Sequence, residues 1–215
     1  MKMKTKRKAL LLSLCAVLLV VASVMGTMAY LTAQTGEVKN TFTVGKIEID
    51  LDEAKVDLNG KLVYEADGTT LAKRVQENEY RLIPGETYIK DPTVHVKTGS
   101  EYSYIFVEVT NSLADKFEAA SVKDGYQTIA DQIKALDWNL VEGTTNVYYK
   151  EYNATSGTEF KVFSEFKISD TANTVDGWGN NIAPITIKAY AVQKAGLTDA
   201  KTAWFETYGK STTTP

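Results

Sequence analysis

Residues 101–110 read EYSYIFVEVT, Glu101 to Thr110, and this stretch decides the fold class. Successive side chains of an extended chain point to opposite faces. Tyr102, Tyr104 and Phe106 therefore share one face, and Ile105, Val107 and Val109 share the other. Both faces are apolar and rich in aromatic or β-branched residues. That predicts a central strand covered on each side, or one whose aromatic face meets another molecule.

Upstream, the two-residue period recurs in Thr93-Val94-His95-Val96-Lys97 before Gly99. It recurs again in Lys46-Ile47-Glu48-Ile49-Asp50-Leu51, with Ile47, Ile49 and Leu51 on one face. Residues 50–68 (DLDEAKVDLNGKLVYEADG) place Asn59-Gly60 between two short apolar runs, a hairpin signature, and Asp67-Gly68 closes that unit. Leu71 to Tyr80 is charged and weakly periodic, a loop or short irregular helix, and Pro84-Gly85 marks a turn. Downstream of the central strand the period changes. Tyr126, Ile129, Ile133 and Leu136 recur every three or four residues, which predicts an amphipathic helix over Asp124 to Leu136.

Three strands are expected next, at Trp138 to Val141, Asn146 to Tyr152 and Glu159 to Ile168, with Gly157 joining the last two as a hairpin. A Gly/Asn-rich loop, Thr171 to Asn181, carries Trp178, and Pro184 precedes a final strand from Ile185 to Val192. A short helix from Asp199 to about Tyr208 buries Ala200, Ala203 and Trp204, with Thr198 or Asp199 as its N-cap. About eight to ten short strands with frequent turn signals predict a mainly β fold, an antiparallel sandwich with short peripheral helices over residues 46–209. A disordered tail is expected at 210–215. The sequence shows no internal repeat and no low-complexity segment.

The N-terminus has a different character. Five cations (Lys2, Lys4, Lys6, Arg7, Lys8) precede an apolar or small-residue run from Ala9 to Ala29. This is the layout of a secretory signal helix over residues 1–29, with the cut expected between Ala29 and Tyr30 and a second option after Gly26. An uncleaved anchor is the alternative, because about 20 apolar residues also span a bilayer. Cleavage removes five of the 24 basic residues and none of the 27 acidic ones, leaving a net charge of about −8. Such a surface excludes nucleic acid and anionic lipid as natural partners. It also removes Cys15, the only cysteine, and with it any disulfide, thiolate metal site or cysteine nucleophile.

Residues 30–44 (YLTAQTGEVKNTFTV) then form a short, polar, strand-capable arm ahead of the first core strand. The run Thr27-Met28-Ala29-Tyr30-Leu31-Thr32, followed by Asn40-Thr41-Phe42-Thr43-Val44-Gly45, resembles the TasA/camelysin family of secreted Gram-positive proteins. Two later stretches are similar at the level of pattern: Leu82-Ile83-Pro84-Gly85-Glu86, and Ile185 to Gln193 followed by Ala203-Trp204. The resemblance implies a jelly-roll sandwich, secretion to the cell surface or extracellular matrix, and a dedicated signal peptidase that cuts before an aromatic residue. It further implies biofilm fibres in which each subunit donates its N-terminal strand to the next copy. An accessory matrix or anchoring protein is a further expected partner.

The camelysin name also carries a claim of zinc peptidase activity. A zinc hydrolase commonly uses two imidazoles one helical turn apart plus a further ligand, and this chain has one histidine, His95, with no HExxH. No Gly-x-Ser-x-Gly elbow exists for serine catalysis. Asp50, Asp52, Glu53 and Asp57 lack the spacing of a Ca²⁺ loop and read as a solvated face. Tyr102, Tyr104, Tyr148, Tyr149, Tyr152 and Trp178 are candidates for a sugar platform in a monomeric carbohydrate-binding module, although cross-strand packing is the commoner use of such residues. Asn153-Ala154-Thr155 matches a glycosylation sequon. No enzyme activity, metal or cofactor is expected.

The arm is the feature with a mechanism. Leu31, Ala33 and Thr35 alternate, so the segment can add as a strand to a groove in a second copy, a mode that takes affinity from main-chain bonds and specificity from alternate side chains. A head-to-tail contact of that kind does not close and so builds a filament. The residues alone fit a simple disordered terminus equally well; the family resemblance favours the donor reading. Tyr30, Leu31, Ala33 and Phe42 are the expected polymerisation residues, with Leu31 and Phe42 as apolar anchors.

Overall fold

The eight-residue strand β4 (Ser103–Thr110) lies inside a four-stranded antiparallel sheet of order β5-β6-β4-β9, with β5 (Asn139–Leu140), β6 (Val147–Tyr152) and β9 (Thr186–Gln193). A second sheet has the order β1-β3-β7, from β1 (Ile49–Asp52), β3 (Thr93–Val96) and β7 (Glu159–Lys161). A ribbon pairs β2 (Thr87–Ile89) with β8 (Glu165–Lys167). This computed structural model describes residues 45–119, 126–179 and 182–209, all within the compact unit Val44–Pro215. The signal segment 1–29, the cut at Ala29 and Tyr30, the arm residues Leu31, Ala33 and Phe42, and the tail 210–215 lie outside the described residues.

The two faces of β4 explain the layers. Ile105, Val107 and Val109 join Val94, Val96, Phe160 and Phe166 in one core between the two sheets, with Ile49 and Leu51 of β1 packed against it. The opposite face carries Tyr104 and Phe106 into a smaller cluster with Ala200, Ala203 and Trp204 of helix α2 (Ala200–Thr207). The aromatic face of the central strand is thus covered from within the chain. Asp199 caps α2 by accepting a bond from Thr202 N–H, so this helix has the start, the cap and the buried side read from sequence.

Helix α1 (Ile129–Ala135) is shorter than expected. Thr128 and Asp131 form a reciprocal capping box that sets its start. Tyr126 falls outside the helix, and its hydroxyl accepts from Lys167 N–H at 2.8 Å. The Asn59-Gly60 turn is present, with Val56 paired to Leu62 and Gly60 at φ +70°. No helix forms over Leu71 to Tyr80; Val75 bonds instead to Glu53.

Two expectations are corrected. The strand over Glu159 to Ile168 is divided into β7 and β8, which pair with β3 and β2 in one continuous register. Its interruption lies opposite Pro92, which accepts from Val162 N–H but has no N–H to return. The expected hairpin at Gly157 is absent: β6 pairs with β4 and β5, and β7 pairs with β3, so residues 153–158 cross between sheets. Asn153 shapes that crossing, its side-chain oxygen accepting from Thr155 and Ser156 N–H, and the sequon residue serves as a turn former.

Trp204→Ala removes the aromatic cover from Tyr104 and Phe106. The expected cost is about 3–5 kcal/mol, seen in urea unfolding as a lower midpoint with an unchanged slope.

Candidate functional site

Among the described residues, β1 and β9 each end a sheet and have one edge with no strand beside it. Ladder phase shows which backbone groups face that edge. Lys194 N–H donates to Tyr102 C=O, so with Ser103 opposite Gln193 the even residues of β9 bond to β4. The N–H and C=O of Ile187, Ala189 and Ala191 point the other way, and only the Ala191 carbonyl has a described partner there, the Tyr208 hydroxyl at 3.2 Å. On β1, Lys97 N–H donates to Glu48 C=O, which turns the backbone groups of Ile49 and Leu51 outward. Beyond them Glu53 exchanges two 2.8 Å bonds with Val75, closing the edge.

The two edges flank a groove of about 600 Å³ lined by Ile49, Leu51, Ile185 and Ile187 together with Asp52, Glu53, Asn78 and Lys90. The opposite pair of edges, β5 and β7, flanks a second cavity of about 510 Å³ lined by Asn139, Tyr149, Glu159 and Phe160. There Trp138, just before β5, donates its indole N–H to Lys161 C=O at 2.8 Å, occupying a carbonyl on the outer edge of β7. Cα atoms of β1 and β9 approach within 8 Å, less than the roughly 10 Å that an intervening strand needs, so an added strand can lie beside a free edge but not between the two.

At one end of the groove lies a buried ion pair. Lys90 Nζ is 2.6 Å from Glu53 Oε2, with side chains 10% and 5% exposed. Asn78 donates to the other Glu53 oxygen at 2.9 Å and to Ala54 C=O. Sequence reading placed Glu53 in a solvated acidic run, yet it follows Ile47, Ile49 and Leu51 in phase, and that phase turns it inward. Lys90 is in phase with buried Tyr88 in the same way. These were the signals available in the sequence.

Asp52 points outward, where Arg74 and His95 hold it: Arg74 Nε is 2.5 Å and His95 Nε2 2.9 Å from Oδ1. Arg74 also reaches Asp91 at 3.0 Å. Burial pushes the Asp52 carboxyl up, but the Arg74 and His95 hydrogen bonds outweigh it and hold its pKa below the ordinary value. Asp50 pairs with Lys97 at 2.7 Å. Asp57 accepts backbone N–H bonds within its own turn. In the exposed turn that follows, Thr70 and Thr69 lower the Asp67 pKa to about 2.

His95 lies between Asp52 and Glu159, the latter 3.6 Å from Nδ1. Among the described residues no group of three or more His, Cys, Asp or Glu side chains is placed to hold a metal ion. The tyrosines are not gathered on one face either. Tyr104 is buried, Tyr148 and Tyr152 pack on the main core, Tyr149 packs on the smaller cluster, and Trp178 meets Phe117 edge-on at 5.4 Å. Tyr102 is exposed and stands apart from them.

The fold is that of a mainly β protein with antiparallel sheets. No protein-family model, no curated protein and no solved structure matches the chain.

Lys90→Met leaves the Glu53 charge buried without its partner and is expected to cost about 3–5 kcal/mol; the pair Glu53→Met with Lys90→Met is expected to restore most of it, both read by urea unfolding. Because the Asp52 pKa is depressed, the stability it contributes is fully present above its unfolded value of about 3.8 and is lost as pH falls through the lower folded value. Arg74→Gln is expected to raise the Asp52 titration, followed by carboxyl NMR, and to start acid unfolding at higher pH.

Proposed function

We propose that this chain is a secreted structural subunit that assembles head to tail into extracellular fibres. In this reading the arm, residues 30–44 of one copy, adds as a strand to the free edge of β9 of the next, beside the groove. The observation that carries it is the free backbone edge of β9 beside a groove in which Ile49, Leu51, Ile185 and Ile187 alternate with polar side chains, while on β7 the Lys161 carbonyl is taken by Trp138. Added strands are held by main-chain bonds that any sequence can make, while pockets for alternate side chains select the occupant. Donor and acceptor are different surfaces of the same molecule, so the contact propagates and does not close.

The signal segment supplies the control. Cleavage between Ala29 and Tyr30 by a dedicated peptidase would detach the arm from the membrane and make it available to a neighbour. Membership of the TasA/camelysin family, a jelly-roll strand order, a biofilm matrix location and an accessory anchoring protein belong to the same proposal. Their support is the N-terminal sequence pattern and the mainly β, antiparallel architecture.

Two variants test this reading. Deletion of Tyr30 to Gln34 from the mature chain is expected to leave a folded protein that sediments as a monomer at every concentration and shows no fibres by electron microscopy. Fibres from that truncation would contradict the reading. Ala189→Pro removes an N–H on the free edge of β9 that bonds nothing on β4, a position where an edge strand tolerates proline. It is expected to preserve the fold by circular dichroism and to abolish assembly.

A further inference from the structure

Beyond the end of β1 the groove continues into a pocket of about 210 Å³, walled by Tyr80, Leu82, Phe166 and Ile182, and sharing Lys90, Pro184 and Ile185 with the groove. It is larger than the cavity of about 150 Å³ that accommodates a benzene ring. Its polar groups are already engaged: the Tyr80 hydroxyl donates to Ile89 C=O at 3.1 Å, and Lys90 is paired with Glu53. Its aromatic walls meet edge to face, Tyr80 and Phe166 being 5.3 Å apart. The space suits one flat, uncharged ring.

We propose that this pocket takes the Phe42 side chain of a neighbouring copy, and that the arm therefore runs antiparallel to β9. This deepens the fibre reading and rests on it. In the arm Val38, Phe42 and Val44 share one face with Asn40, while Glu37, Lys39, Thr41 and Thr43 share the other. That phase brings Phe42 to the inside of an inserted strand and, along an unbroken strand, turns Leu31 and Ala33 to its other face, which makes Phe42 the anchor.

Direction follows from the two edges. β9 starts at Thr186 beside the pocket and runs away from it, offering Ile187, Ala189 and Ala191; β1 arrives at the pocket and offers Ile49 and Leu51. A strand with Phe42 in the pocket and Leu31 at the far end is antiparallel to β9, the longer edge, and antiparallel pairing is the stronger kind.

Reach assigns the occupant to a second copy. Gly45 lies beside Glu101 at the start of the β1 segment, and Glu53 at its other end borders the groove near the pocket. Those eight residues span about 26 Å. Phe42 is three residues from Gly45, a tether of about 11 Å at most. The Phe42 of the same chain falls short.

In a mature Cys15-free chain, Phe42→Cys with Ala183→Cys, oxidised during assembly, is expected to give a ladder of disulfide-linked oligomers on a non-reducing gel, with the 42–183 link confirmed by mass spectrometry. A ladder from Leu31→Cys with Ala183→Cys in its place overturns the anchor and direction but leaves the fibre reading standing. Unmodified mature chain that forms no fibres overturns both. Since cysteine is smaller than phenylalanine, Phe42→Ala and Phe42→Tyr are compared as well. Phe42→Ala is expected to raise the assembly threshold at least about tenfold, the loss typical of a buried aromatic anchor, and Phe42→Tyr far less. Equal thresholds for Phe42→Ala and the unmodified chain overturn the proposal.

Discussion

Backbone hydrogen bonding is the constraint on which this molecule depends. A strand carries donors and acceptors on both edges, and an apolar strand edge left open invites another strand. In this protein Ile49 and Leu51 on one sheet and Ile187 on the other line the same groove, and the outward backbone groups of Ala189 continue the β9 edge beyond it. Natural edges are usually blunted by charge, brevity or cover. Here β7 is capped by the Trp138 indole and β1 beyond Leu51 is closed by Val75, while β9 exposes eight residues of edge with small or apolar side chains in phase with the core.

The polar cluster at the groove's end is the second determinant. Glu53, Lys90 and Asn78 form a buried, hydrogen-bonded set between the groove and the aromatic pocket. A buried ion pair contributes little net stability against well-packed apolar residues, and its best-attested use is to fix register. At this position it marks where the open backbone edge of β1 stops. Outside the groove, Arg74 ties Asp52 of β1 to Asp91 beside the Pro92 break, holding the first strand to the bend in the ribbon.

What the sequence made legible is what local pattern controls. The double-faced character of β4, the buried side and cap of α2, and the Asn59-Gly60 turn all follow from side-chain period and residue chemistry within a few positions. Pairing partners were less accessible. A Gly-bounded link between two strands looks the same whether the chain returns to its neighbour or crosses to another sheet, so residues 153–158 read as a hairpin in sequence and cross between sheets in the fold. The division of the Glu159–Ile168 stretch originates across the ladder at Pro92, far away in sequence. Glu53 was legible in principle, since its phase with Ile49 and Leu51 turns it inward, but its partner Lys90 is 37 residues away. The groove itself belongs to no local segment: it arises only when the edges of β1 and β9 are brought together.

Amide hydrogen exchange, compared between assembled fibres and the same chain held as monomer by arm truncation, tests the central claim most directly. The account predicts that assembly slows exchange at Ile187, Ala189 and Ala191 and leaves Asn139 to Leu140 and Glu159 to Lys161 unchanged. Unaltered exchange along β9 on assembly, or protection appearing at β5 and β7 in its place, would contradict it.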